Sequence, residues 1–210
     1  MSHPPVGVWR SPLLQRTRIR LMSLLMLVAL GVASLGSLAV AQPSNCANLV
    51  GDSGFETGNG WQMRTSGSYA LVGDFLARSG QAAHLAGVND ANDQMTLDLT
   101  LPADKPNVTL SFWWQIQSEE ESGEFDGLSV LVSANGDQRS LLTLGSANAI
   151  DQWQQSTVDL SSYAGQTIQL QFVAQTDSSL VTDFFIDDVT VEACGASAGD
   201  FRVFLPLTQR

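Results

Sequence analysis

From position 42 onward, short runs of β-branched, leucine and aromatic residues alternate with clusters of Gly, Asn, Asp and Ser. No stretch sustains the 3.6-residue apolar period of a long helix. The pattern predicts strands over 47–50, 69–73, 82–86, 94–101, 107–117, 127–134, 139–144, 152–160, 167–176 and 184–192. That many short strands with frequent turn signals predict an all-β fold, two packed antiparallel sheets of jelly-roll type. Asn135-Gly136, between two apolar runs, predicts a tight hairpin, and 161–165 predicts a short link or a single helical turn. In a strand, successive side chains face opposite ways. Val108, Leu110, Phe112, Trp114 and Ile116 are therefore expected in the core, with Thr109, Ser111, Trp113, Gln115 and Gln117 facing out. The same reading turns Ile168, Leu170 and Phe172 inward and Thr167, Gln169, Gln171 and Gln175 outward.

The first 41 residues follow a different pattern. Arg10, Arg16, Arg18 and Arg20 precede an apolar run over 21–40 that ends in Ala39-Val40-Ala41, an A-x-A cleavage signature. The expectation is a helical signal peptide over 1–41, a secreted protein starting near Gln42, one domain over 42–194 and a tail over 195–210. The alternative is an uncleaved segment that anchors the chain in a membrane. Within the tail, FRVFLPLTQR reads as an edge strand, a docking segment or a frayed terminus.

Charge narrows the partners. All 21 acidic residues lie beyond position 41, against six of the ten basic ones. Nucleic acid and anionic lipid need clustered Lys and Arg, so neither is expected as a partner, and no membrane contact is expected of the mature chain. Cys46 and Cys194 are the only cysteines. In an exported chain they are expected to pair, with two free thiols as the alternative.

The candidate chemistry follows from these faces. If the strands 107–117 and 167–176 share a sheet, Trp113, Gln115, Gln169 and Gln171 form one glutamine-rich surface with an indole on which a pyranose ring could stack. Trp61, Trp153 and Phe125 read as core or edge packing. Glu56, Asp187 and Asp188 stand among aromatic and apolar residues, and the cations that could pair with them are few. Buried carboxylates without partners cost several kcal/mol, roughly. A hard divalent cation with oxygen ligands would resolve that conflict. Catalysis has little support, because beyond position 41 the only histidine is His84, set among apolar residues. Glu119, Glu120, Glu121 and Glu124 read as a solvated loop, with a glycoside hydrolase pair among them as a remote alternative.

NLVGDSGFETGNGW (48–61), ARSGQAAHL (77–85) and FFIDDVTV (184–191) resemble the first strand, a turn and the last strand of galactose-binding-like jelly-roll carbohydrate-binding modules. FDGLSVLV and the stretch from WQQSTVDL to FFIDDV are similar to the MAM-like domain found beside secreted bacterial metallopeptidases such as immune inhibitor A. The resemblance implies a structural Ca2+ site in which Glu56 and Asp187 or Asp188 supply side-chain oxygens. It also implies carbonyls from the turn Ser79, Gly80 and Gln81, and brings in Asp126 as a cation ligand or loop cap. The functional expectation is a secreted, non-catalytic module that binds a glycan or cell-surface polysaccharide. The alternative is a structural or adhesive domain with a protein partner.

Overall fold

The structure, a computed structural model, describes residues 45–120 and 125–195. The leader, the tail and the pair Glu121 and Glu124 lie outside the described residues. Eleven strands form two antiparallel sheets. Sheet I contains β3 (Val72–Gly73), β4 (Ala82–Ala86), β11 (Thr182–Cys194), β6 (Asn107–Ser118) and β9 (Ile150–Asp159) in that order, with β1 (Cys46–Asn48) paired to the end of β11. Sheet II runs β2 (Gln62–Arg64), β5 (Asn92–Thr100), β10 (Thr167–Gln175), β7 (Gly127–Ala134) and β8 (Asp137–Gly145). The fold is the all-β sandwich expected from the alternation. The short strand β2 escaped that reading, because its sequence Gln-Met-Arg carries a single apolar residue.

The two sheets meet through their apolar faces. Val108, Leu110, Phe112 and Ile116 of β6 are fully buried against Ile168, Leu170 and Phe172 of β10. Phe112 and Phe172 meet edge to face, with ring centroids 5.1 Å apart, a preferred aromatic geometry. Trp61 joins them from the loop after β1 at 6.2 Å from Phe172, as the core-packing reading expected. Phe125 departs from that reading: it is 63% exposed at the mouth of β7, because the inward-facing positions of that strand begin at Leu128.

Local sequence accounts for the connections. Asn135 (φ 53°) and Gly136 (φ 88°) both take positive φ between β7 and β8, as a two-residue type I′ hairpin requires. Residues Ser161–Tyr163 form a single 3-10 turn. Cys46 and Cys194 are bonded and lie opposite each other in the β1–β11 register.

One irregularity shapes the site. In β11, Phe184 and Ile186 face the core, and then Val189, Val191 and Ala193 do so, one position out of step. An extra residue must be absorbed to keep both sets buried, and the ladder to β6 slips between Asp187 and Thr190. Asp188 takes φ 47° in this bulge. Two consecutive carboxylates, the covered Asp187 and the partly exposed Asp188, thereby lie on the outer side of the sheet at mid-strand.

Candidate functional site

The loop 49–61 is organised by a carboxylate and two aromatics. Asp52 is buried and accepts from the backbone N–H of Thr57 (3.1 Å) and Asn59 (3.2 Å). Its carbonyl accepts from Trp61 Nε1 at 3.0 Å. Phe55, with φ 61°, is buried against Trp61 at 5.4 Å. With Phe55 and Trp61 held in the core, Glu56 is left on the surface over Gly80. Glu56 Oε1 accepts from the backbone N–H of Gln81 at 3.0 Å. Gly80 has φ +63°, and a Cβ there would collide with the Glu56 carboxylate.

The β11 bulge faces the same loop. A Cβ built on Gly54 would lie 3.6 Å from Glu56 Oε1, 3.7 Å from Asp187 Oδ1 and 3.8 Å from Asp188 Oδ1. Three carboxylates thus surround one glycine. Asp187 has no solvent exposure, and burial pushes its carboxyl above the usual aspartate range. The backbone N–H groups of Arg78 (2.8 Å) and Asp188 (2.7 Å) donate to it and pull the other way. Arg78 forms an ion pair with Asp188, and its guanidinium lies 3.8 Å over the Trp113 ring.

These residues fit a hard cation in donor type, and Gly54 adds no side chain between the three carboxylates. As they lie, no group of three or more His, Cys, Asp or Glu among the described residues is close enough to hold a metal ion. Arg78 takes part of that role through Asp188. Ser79 is exposed beside the cluster, and Gln81 meets Glu56 through its N–H. Asp126 lies apart, at the start of β7. There its Oδ1 caps the backbone N–H of Asp177 at 2.8 Å, and its Oδ2 is buried without a hydrogen-bond partner among the described residues.

The expected glutamine–tryptophan surface is corrected by topology. β6 belongs to sheet I and β10 to sheet II, so their outward residues point to opposite sides of the sandwich. On sheet I, Trp113 is half-buried beneath Arg78, and Gln115 is buried beside Phe185. Phe185 stacks on His84 at 4.7 Å, and His84 Nε2 is 2.6 Å from Asp183 Oδ1. The segment 74–79 crosses this face: Phe75 lies 5.2 Å from His84, and the Leu76 carbonyl accepts from Trp153 Nε1 at 3.2 Å. The sheet I face is therefore largely covered by its own chain.

The other half of the expected surface is joined by hydrogen bonds, with Asp98 and Gln138 exposed, Gln94 and Gln169 half-buried and Gln171 buried among them. On sheet II, Gln169 Nε2 donates to Asp98 Oδ1 at 2.9 Å, and Gln171 Nε2 donates to Gln169 Oε1 at 2.6 Å. Gln94 and Gln138 each donate to Gln171 Oε1 at 3.2 Å. This amide chain crosses β5, β10 and β8. Gln94, Asp98 and Gln138 were not singled out from sequence. The outward phase of β5 and β8 carries the signal, once their neighbours in the sheet are known.

The model of the MAM domain, meprin/A5/mu, matches residues 52–195. The chain belongs to the MAM domain family. The pre-pro-metalloprotease PrtV of Vibrio cholerae serotype O1 is 31% identical over 120 residues, which cover 51% of this chain and 12% of that protein. This MAM chain thus matches a small part of a much longer relative. TmCBM61, solved in complex with beta-1,4-galactotriose, is 18% identical with a TM-score of 0.54, covering 69% of this chain and 97% of its own. The CBM22-1 xylan-binding domain of Paenibacillus barcinonensis Xyn10C is 19% identical with a TM-score of 0.50, covering 72% and 97%. At such identities the likeness is one of fold. It places this MAM domain among jelly-roll sandwiches, as the end segments implied.

Proposed function

We propose that this MAM domain is an exported, non-catalytic module that binds a glycan on the outer face of sheet II. The observation that carries the reading is the amide chain through Gln94, Gln138, Gln169 and Gln171, a row of paired donors and acceptors on an otherwise ordinary sheet face. Sugar hydroxyls both donate and accept, so amides suit them. The carbohydrate-binding modules that share the fold make the class of ligand reasonable. The disulfide supports export, since such bonds persist in oxidising compartments.

Structural calcium belongs to the same proposal. Glu56, Asp187 and Asp188 would hold it by side-chain oxygens, competing with Arg78 for Asp188. The ion would supply the positive charge that the buried Asp187 lacks. A glycan array probed with and without chelator tests both parts. Binding is expected, and Gln169→Ala should weaken it at least fivefold while Trp113→Ala leaves it unchanged. Retained binding in Gln169→Ala, or loss in Trp113→Ala, would move the site to the other face. Chelation should lower the melting temperature, and an unchanged melting curve would sink the calcium proposal.

A second reading rests on a separate observation. Val88, Phe125 and Leu180 are 40%, 63% and 49% exposed. Their loops are tied together by Thr176 Oγ1 donating to the Val88 carbonyl and by Asp126 capping Asp177. Exposed apolar side chains on adjoining loops suit a protein partner, the adhesive role. Pull-down that survives Gln169→Ala but fails in Phe125→Ser would favour it.

A further inference from the structure

We infer that the sheet II face selects neutral, hydroxyl-bearing glycans against acidic ones, because Asp98 sets the direction of the whole amide chain. This rests on the glycan-binding reading above. A carboxylate can only accept hydrogen bonds, so the Gln169 amide must turn its nitrogen to Asp98. Its oxygen then faces Gln171, which in turn must present nitrogen to Gln169 and oxygen to the next pair. That oxygen takes one donor from Gln94 and one from Gln138. Reversing any link would set two nitrogens or two oxygens against each other. The order therefore follows from the chemistry of Asp98 and does not depend on how each amide is drawn.

The consequence appears at the ends of the chain. Gln94 Oε1, Gln138 Oε1 and Asp98 Oδ2 enter no hydrogen bond among the described residues. Three fixed acceptors thus remain for a ligand, one of them ionised, beside the second amide N–H of Gln94, Gln169 and Gln171. A hydroxyl, which donates and accepts, can meet both kinds. A uronate or sulfate oxygen can meet only the N–H groups, leaves the acceptors unmet and would face an ionised Asp98 on a chain of net charge −11. Arg64, exposed on the β2 edge and paired in register with Gln94, is the group on this face that would favour an anion. Sites built on directed hydrogen bonds discriminate strongly when a partner is left unmet.

The test compares soluble glucan, mannan and galactan, each beside the same polymer oxidised at C6 from hydroxyl to carboxylate, by calorimetry in 1 M salt, where charge repulsion is screened. The wild-type protein is expected to bind at least one neutral polymer about tenfold or more tighter than its oxidised partner. Asp98→Asn lets the first amide turn either way, and Gln171→Leu cuts the chain while keeping the Asp98 charge. Both variants should weaken neutral binding and shrink the ratio to below about threefold. Melting curves check that each variant is folded. An oxidised polymer bound as tightly as its neutral parent, or a ratio unchanged in Gln171→Leu, overturns the inference while glycan binding stands. No binding to any polymer of any pair overturns both.

Discussion

Asp93 shows how single side chains hold this sandwich together with few cations available. It has no solvent exposure, yet it accepts from Tyr69 Oη (2.7 Å), from the Ala86 N–H (2.8 Å) and from the Ser66 N–H (3.3 Å). Three donors replace the missing counter-ion. Tyr69→Phe should cost about 1.5–3 kcal/mol, the range for a hydrogen bond to a charged group, measured by urea denaturation. The same contact predicts an alkaline effect. Burial and the neighbouring Asp93 hold the Tyr69 hydroxyl above its usual value of 10.0, against hydrogen bonds from Thr65 and Ser66. The unfolded chain then loses its proton first as pH rises past 10.0, so stability falls between that pH and the raised folded value. Tyr69→Phe should lose this part of the alkaline decline. At Gly80, φ +63° and the Glu56 carboxylate leave no room for a side chain. Gly80→Ala is expected to destabilise by more than about 1 kcal/mol and to abolish any thermal shift on adding calcium.

At the scale of the element, much was legible because burial on one face imposes a period of two. The alternation in β7 survives intact in the burial pattern, and those in β6 and β10 survive except at Trp114, which is half-buried where the core was expected, and at Gln115 and Gln171, which are buried where the outer face was expected. Cues of local chemistry also held, such as Asn135-Gly136. What the chain did not disclose was which strands neighbour each other. Trp113 and Gln169 each face outward, but partnership between β6 and β10 is decided by connections across the whole sandwich. The candidate cation cluster was legible in part. Glu56, Asp187 and Asp188 stood out as acids among apolar residues, whereas Arg78 pairs with Asp188 across 110 positions and leaves no local trace. The bulge was available in principle, since Phe184 and Ile186 fall out of step with Val189 and Val191. Removing it offers a prediction: deleting Asp188 brings Val189, Val191 and Ala193 into step with Phe184 and Ile186 and makes the ladder to β6 regular. Both apolar sets stay buried, so the deletion should keep a cooperative melt while losing any thermal shift on adding calcium.

For the molecule as a whole, the two ends of the described domain meet at one corner. The bond from Cys46 to Cys194 spans 148 positions, and the chain-entropy relation assigns such a loop roughly 5 kcal/mol as an upper figure. Replacing both cysteines by Ser should lower stability by several kcal/mol, about 2–5. The corner also decides how the domain responds to tension. A pull on the chain before Cys46 and after Cys194 passes through the covalent bond and leaves every strand unloaded. Force spectroscopy should show no unfolding step until a reductant is added. Cleavage of the bond should then release a length near 50 nm, at roughly 3.4 Å per extended residue. For a pull along the chain, the fold between Cys46 and Cys194 is a closed loop that carries no load for as long as the bond is oxidised.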